Sequence, residues 1–261
     1  MNSLPSPPPS VLTSLINVLV APGEVFTQLR TAPVRHTNWI TPAVIFVAVS
    51  WLVAGLMFSS SSIQNEMRTI QQEAMQKQFQ KFIDQGKMTQ AEADQMIART
   101  ERYTTMGQAI GGVLGAAISA VVLPFWGGFV LWAGSHLMMR RPIEFMKGVE
   151  AAGLTLVITA LGVLAKGLLC LAKGTIFTGF GAVLLLPHYD PTNHLHNAIA
   201  SIEIFALWAV AVKCVSLAKL CEGSLLKATA WIGGLWIVLT GGQIGLGYAA
   251  QKFVEMMQNM Q

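Results

Sequence analysis

The chain of 261 residues is 53% hydrophobic and only 11% charged, and carries a net charge of +4. A soluble domain of this length carries roughly 25% charged residues, and a disordered chain is poor in apolar ones, so both classes are excluded. The mean hydropathy of +0.53 points to an all-α, polytopic transmembrane helix bundle. The basic residues are scattered, and most sit at the ends of apolar runs. They form no cluster for nucleic acid. Cys170, Cys214 and Cys221 lie in apolar surroundings without a C-x-x-C pair, which reads as small buried residues.

Residues 1–38 open with a Pro/Ser tail, MNSLPSPPPS, with no basic n-region and no cleavage site of the A-x-A kind. The stretch VLTSLINVLV, next in the chain, is too short to cross a bilayer. Val11, Leu15, Val18 and Leu19 recur at helical spacing, which suits either a helix lying in the membrane surface or one packed on the bundle. Residues 39–58 are a run without a charge, headed by Trp39, and form the first span.

Residues 59–105 differ in character. From position 63 on they hold six of the seventeen Lys/Arg and six of the thirteen Asp/Glu. Apolar residues at Ile63, Met67, Ile70 and Ala74, then Met75, Phe79 and Phe82, make one helical face. Gly86 supplies a stop, and Thr89-Gln90-Ala91-Glu92 fits a capping box that starts a second helix. The expectation is an extramembrane helical hairpin between spans one and two.

Residues 106–250 contain four further spans, and 251–261 form a C-terminal tail. Tyr103 to Met139 contains no charge over 37 positions. A straight helix of that length measures about 55 Å against a bilayer core of about 30 Å, so its first part extends out from the hairpin. Gly107, Gly111 and Gly115 make a small-residue stripe for close helix approach, as do Gly241 and Gly245 in the last span. The third span covers about 148–172. A thirteen-residue apolar piece within 174–187, too short to cross, is re-entrant or interfacial. The fourth span covers about 198–219 and the fifth about 228–250.

Five spans put the termini on opposite sides. Arg30, Arg35, Arg140, Arg141, Lys147, Lys219 and Lys227 fall on the N-terminal side. The neutral hairpin, Lys173 and Lys252 fall on the other. The positive-inside rule then places the N-terminus in the cytoplasm, with the hairpin and C-terminus opposite.

Two constellations carry chemistry. His188, Asp190, His194 and His196 offer zinc-type ligands in PHYDPTNHLH, but their spacing fits no ligand motif and Asp190-Pro191 reads as a turn, so no metal or other cofactor is expected. Glu150, Lys166, Glu203 and Lys213 lie inside or beside apolar runs, where each charge costs a few kcal/mol unless paired or wet. They form a candidate intramembrane polar network, with Glu203 able to meet Lys166 if their helices run antiparallel. H-E-x-x-H, G-x-S-x-G and Walker motifs are missing, and Asp84, Asp94 and Asp190 all fall outside the spans. The expected function is non-enzymatic. A small transporter or channel component that uses the intramembrane Glu and Lys residues is the alternative.

The segment LINVLVAPGEVFTQLRTAPVRHTNWITPAVIF, the segment GAVLLLPHYDPTNHLHNAIASIEIFALWAVAV and the final span with Trp236 together resemble the Yip (Ypt-interacting protein) domain family, in its bacterial branch. Glu203, Phe205 and Trp208 are similar to the family's Asp-x-Phe-x-x-Trp stretch, with Glu in place of Asp. The resemblance covers about residues 11–250, with 63–105 as an insertion. It implies a five-span fold with a cytosolic N-terminus, in a bacterial inner membrane, acting as a scaffold or membrane organiser. Its partners would be the lipid bilayer and other membrane proteins or a second copy. Small-GTPase binding is a property of the eukaryotic members.

Overall fold

The computed structural model describes residues 10–186, 196, 199–200 and 202–259. Among them the chain is helical without a strand. Its helices are α1 Val11–Val20, α2 Pro22–Thr31, α3 Thr37–Ser59, α4 Ser61–Asp84, α5 Gln90–Leu137, α6 Phe145–Lys173, α7 Ile204–Leu220 and α8 Leu225–Asn259. A 3-10 turn spans Ala182–Leu185. Among the described residues, four segments are long and apolar enough to cross a membrane: Thr37–Ser59, Ile110–Leu137, Phe145–Lys173 and Leu225–Ala249. Their surfaces carry exposed Val121, Val122, Trp126, Ile237 and Val238, an apolar area that a water-soluble protein does not display.

Two compact units divide the chain. The first comprises Met1–Phe46, Ala120–Gly162 and Gly179–Gln261. In it α5 and α6 touch backbone to backbone: a Cβ at Gly128 would lie 2.7 Å from Val149 N, and one at Gly148 would lie 2.7 Å from Gly128 O. The contacts run in opposite senses, Gly127 against Ala152 and Gly128 against Val149, so these helices are antiparallel. Lys213 beside Gly127 and Leu217 beside Gly134 make α7 parallel to α5. Asn38 beside Glu150 and Trp39 beside Gly153 make α3 parallel to α6. The turns 32–36, 138–144 and 221–224 therefore gather at one end of this unit.

The N-terminal segment folds as two helices where the sequence showed one short apolar stretch. Ser10 Oγ caps α1 by accepting from Thr13 N. Pro22 opens α2 at a position where its missing N–H costs nothing. Leu15 and Val18 of α1, and Val25, Phe26 and Leu29 of α2, join the core with Leu217 and Leu220 of α7. Leu12, Ile16 and Val20 stay exposed on the opposite face of α1.

The fourth expected span is shorter than the sequence suggested. Its helix, α7, begins at Ile204 rather than near 198 and has 17 residues, or about 25 Å. Glu203 therefore sits at its N-cap, with extended backbone angles, rather than inside a span. The cause is a non-local pairing. Ile204 N donates to Phe180 O at 2.8 Å and Ala182 N to Ile202 O at 3.2 Å, which closes an antiparallel bridge between Gly181 and Glu203. Those bonds hold residues 202 and 203 out of helical geometry, so that α7 starts at Ile204.

The second unit comprises Val47–Ser119 and Val163–Thr178. Here α4 and the start of α5 are joined at Gly86, whose φ of +66° suits a glycine. The capping box forms. Thr89 N donates to Glu92 Oε2 at 2.8 Å, and Glu92 N donates to Thr89 Oγ1 at 3.3 Å. Ile63, Ala93 and Ile97 are buried, whereas Phe82, on the same expected face as Ile63, is exposed. Glu66 accepts from Thr175 Oγ1 at 2.6 Å and Ile176 N at 2.7 Å, tying α4 to the turn after α6.

Candidate functional site

The turns at the loop end of the first unit are held by two polar knots. The inner one centres on Glu150, which is completely buried. Its Oε1 accepts from Asn38 Nδ2 at 2.6 Å and from Arg35 N at 3.2 Å. Its Oε2 accepts from Lys147 Nζ at 2.9 Å, and Lys147 Nζ also donates to Ala32 O at 2.8 Å. The pair is one turn apart on α6, so the helix itself positions both partners. Together they satisfy backbone groups of the α2–α3 turn that the apolar surroundings would otherwise leave unpaired. Close by, Ser135 Oγ donates to Trp132 O at 2.6 Å and accepts from Ile143 N at 3.2 Å, which folds the α5–α6 turn back on α5.

The outer knot joins the ends of α5 and α7. The two helices end in different caps: Gly223 N reaches Ala218 O, five residues back, at 2.8 Å, as in a Schellman motif, and Arg141 N reaches Ser135 O, six residues back, at 3.0 Å. The left-handed position is filled by Arg140 (φ 53°) in one and by Glu222 (φ 46°) in the other, although glycine is the usual choice there. The Arg141 guanidinium donates to Cys221 O at 3.2 Å and Glu222 O at 3.0 Å. A cation is thus laid on the negative end of α7. Arg30 pairs with Glu222, and Arg141 Nη1 lies 3.7 Å from Glu222 Oε2. Burial pushes the Cys221 thiol up to about 11 against the pull of Arg141, so it is protonated at neutral pH and a poor nucleophile.

Of the four charges expected to form an intramembrane network, Glu150 is matched by Lys147, Asn38 and the Arg35 backbone. Lys166 lies on an exposed face of α6 in the second unit. Glu203 caps α7. Lys213 is half-buried, with its Cε 3.9 Å from where a Cβ would stand at Gly127. The residues that build the knots, Arg30, Asn38, Arg141, Lys147 and Glu222, were read from the sequence only as span-flanking charges or not singled out. The signals available for them were the i,i+3 spacing of Lys147 and Glu150 and a Glu-Gly pair just after an apolar run.

His188, Asp190 and His194 lie outside the described residues. Among the described residues no three His, Cys, Asp or Glu side chains gather as a metal group. The glycine stripes face open space: nothing lies within 4 Å of a Cβ built at Gly107, Gly111, Gly115, Gly241 or Gly245. The helices of the first unit meet instead at Gly128 and Gly148.

No curated protein and no solved structure matches the chain. The Yip1 domain matches residues 16–246. With apolar helices long enough to cross a bilayer and a match over nearly its whole length, this chain belongs to the Yip1 domain family of integral membrane proteins.

Proposed function

We propose that the protein is a non-catalytic membrane organiser that presents a fixed polar platform at the cytoplasmic face of a bacterial inner membrane. The observation that carries the reading is the pair of knots around Glu150 and Glu222, which fasten the turns 32–36, 138–144 and 221–224 to one another. Such an arrangement leaves few groups free to act on a substrate and holds a surface in one shape for a partner. The basic residues Arg30, Arg140, Arg141, Lys147 and Lys219 of this end support its cytoplasmic side. The exposed apolar face of α1 and the open stripes at Gly107–Gly115 and Gly241–Gly245 are where another membrane protein or a second copy would dock. The test is photo-crosslinking in membranes from residues 12 and 16. A reproducible protein partner, lost when Glu150 is replaced by alanine, supports the proposal. Crosslinks to lipid alone sink it. Cysteine labelling at residue 80 from the cytoplasmic side overturns the orientation.

A second reading, a small transporter or channel component, is favoured by Lys213. No carboxylate among the described residues stands within ion-pair distance of it, and Ser216 Oγ, one turn on, is buried without a hydrogen-bond partner. An intramembrane charge of this kind by default marks a pathway. Solute or ion flux in proteoliposomes that rises above background and falls on Lys213→Met supports it. Flux at background for the parent protein removes it.

A further inference from the structure

We infer that the cavity between α2 and the C-terminal end of α7 is a headgroup site for an anionic phospholipid. The cavity has a volume of about 540 Å³ and opens to one side. Its cations are Arg30 of α2 and Lys219 of α7, and its apolar wall is Val215, Ala218 and Leu225. Glu222 also lines it, but that carboxylate is already paired with Arg30 and faced by Arg141. The lining thus carries two cations against one carboxylate, and the excess is positive.

Lys219 is the uncommitted member. Its stem crosses Gly23 of α2, with Cε 3.5 Å from where a Cβ would stand there. Its ammonium carries three donors, and none has an acceptor among the described residues. Arg30 gives one guanidinium nitrogen to Glu222 and retains donors on the other side of its planar fork. A phosphate oxygen is the group that fits two such donor sets.

Beside the cavity, Leu225 and Leu226 are 53% and 80% exposed. Apolar side chains next to cations, at the end of a membrane-crossing helix, mark the boundary between headgroups and acyl chains. A free phosphate would use the cations and ignore the leucines. A phospholipid uses both, with its phosphate at Lys219 and Arg30 and its first methylenes on Val215 and Leu225. The assignment rests on the reading that this end of the unit meets the anionic cytoplasmic leaflet.

Native mass spectrometry of the full-length protein, released from detergent with phosphatidylglycerol or phosphatidylcholine, tests the site. The wild type should retain phosphatidylglycerol in preference. Lys219→Gln should retain it about fivefold less well, whereas Lys219→Arg and Lys227→Gln, the latter outside the cavity, should match the wild type. Equal retention of both lipids, or unchanged retention by Lys219→Gln, overturns the proposal. Protection of Lys219 from an amine-reactive reagent is the second measurement, made on the wild type and independent of how the variant folds. Protection by phosphatidylglycerol but not by inorganic phosphate supports the lipid. Equal protection by inorganic phosphate alone overturns it. Partner crosslinking at α1 is scored separately, so a failed scaffold with intact lipid retention is distinguishable from a failed lipid site.

Discussion

Glu150 in the first unit and Glu92 in the second each lie near the start of a helix and hold a turn with their carboxylates, Glu150 the turn before α3 and Glu92 the turn before its own helix. Glu150 is completely buried, and every oxygen it offers is taken by Lys147, Asn38 or the Arg35 backbone. Glu92 stands in the open and shares its carboxylate with Thr89 alone, through that residue's backbone and hydroxyl. The chemistry is the same, a carboxylate accepting hydrogen bonds, but the alternatives differ. Water can replace Thr89 at Glu92. Nothing can replace Lys147 at Glu150 without leaving a charge in an apolar core. The loop end of the first unit is therefore held by groups that cannot be lost singly, and the hairpin turn by groups that can.

The sharpest way to break that comparison is to remove one member of the buried pair. Glu150→Ala leaves the Lys147 ammonium unpaired and should cost about 3–5 kcal/mol, read as a fall in the thermal midpoint of the detergent-solubilised protein. Lys147→Met should be nearly as harmful. The double variant Glu150→Leu with Lys147→Met should recover a large part of the loss, because it removes both charges. If Glu150→Ala unfolds at the wild-type temperature, the knot does not hold this end together.

Next in size is the contrast between two kinds of glycine. Gly128→Ala forces a Cβ against the Val149 backbone, and overpacking of this kind costs about 1–3 kcal/mol. Gly111→Ala meets nothing and should stay within about 1 kcal/mol of wild type, on the stabilising side, because alanine is the better helix former. A large loss at Gly111 measured in the membrane but not in detergent would show that a partner helix covers that stripe.

Glu222 gives a smaller effect with a revealing order. Its backbone is left-handed and its side chain largely exposed, so its ion pairs are each worth about 0–1 kcal/mol. Glu222→Gly relieves the backbone while losing the pairs, and should fall within about 1 kcal/mol of wild type. Glu222→Ala loses the pairs and keeps the strain, and should be the less stable of the two. The reverse order in thermal denaturation would mean that the cap is not under strain.

The range of each interaction decides how legible it was in the sequence. Gly86 and the Thr89–Glu92 box act over four residues, and the local pattern alone specified them. The long apolar runs suggested five spans for the same reason, and four of them are helices long and apolar enough to cross a membrane among the described residues. Glu150 stood out as a charge beside an apolar run and was grouped with Lys166, Glu203 and Lys213, while its actual partner Lys147, three residues earlier, was counted only as a flanking charge. Pro22, at the first position of α2, was a legible start signal that the sequence reading did not use. The start of α7 was set too early because 198–202 is mostly apolar, like the helix itself. Only the bonds to Phe180 and Ala182, some twenty residues away in sequence, interrupt the helix at residues 202 and 203, just before α7. The meeting of Gly128 with Gly148 has no periodicity to announce it. A stripe such as Gly107–Gly115 shows where a helix could approach, and only the tertiary fold decides whether one does.

The smallest effect sharpens the other side of the comparison. The hydrogen bonds from the Thr89 backbone and hydroxyl hold the Glu92 carboxyl below its ordinary value. A depressed carboxylate stabilises the folded turn at pH values above the unfolded-state pKa, and that contribution fades as the pH falls through the folded value. NMR titration of the Glu92 carboxyl carbon should therefore give a midpoint below that of an unstructured glutamate, and the amide signals of residues 89–92 should shift with the same midpoint. Thr89→Ala removes the hydroxyl, and the Glu92 midpoint should move up, with the rest of the fold unchanged because water takes the vacant place. A midpoint that does not move on Thr89→Ala would leave the depression to the backbone N–H alone. Unfolding of α4 together with α5 on acidification would show that the exposed cap is as indispensable as the buried knot, and the distinction between the two glutamates would be lost.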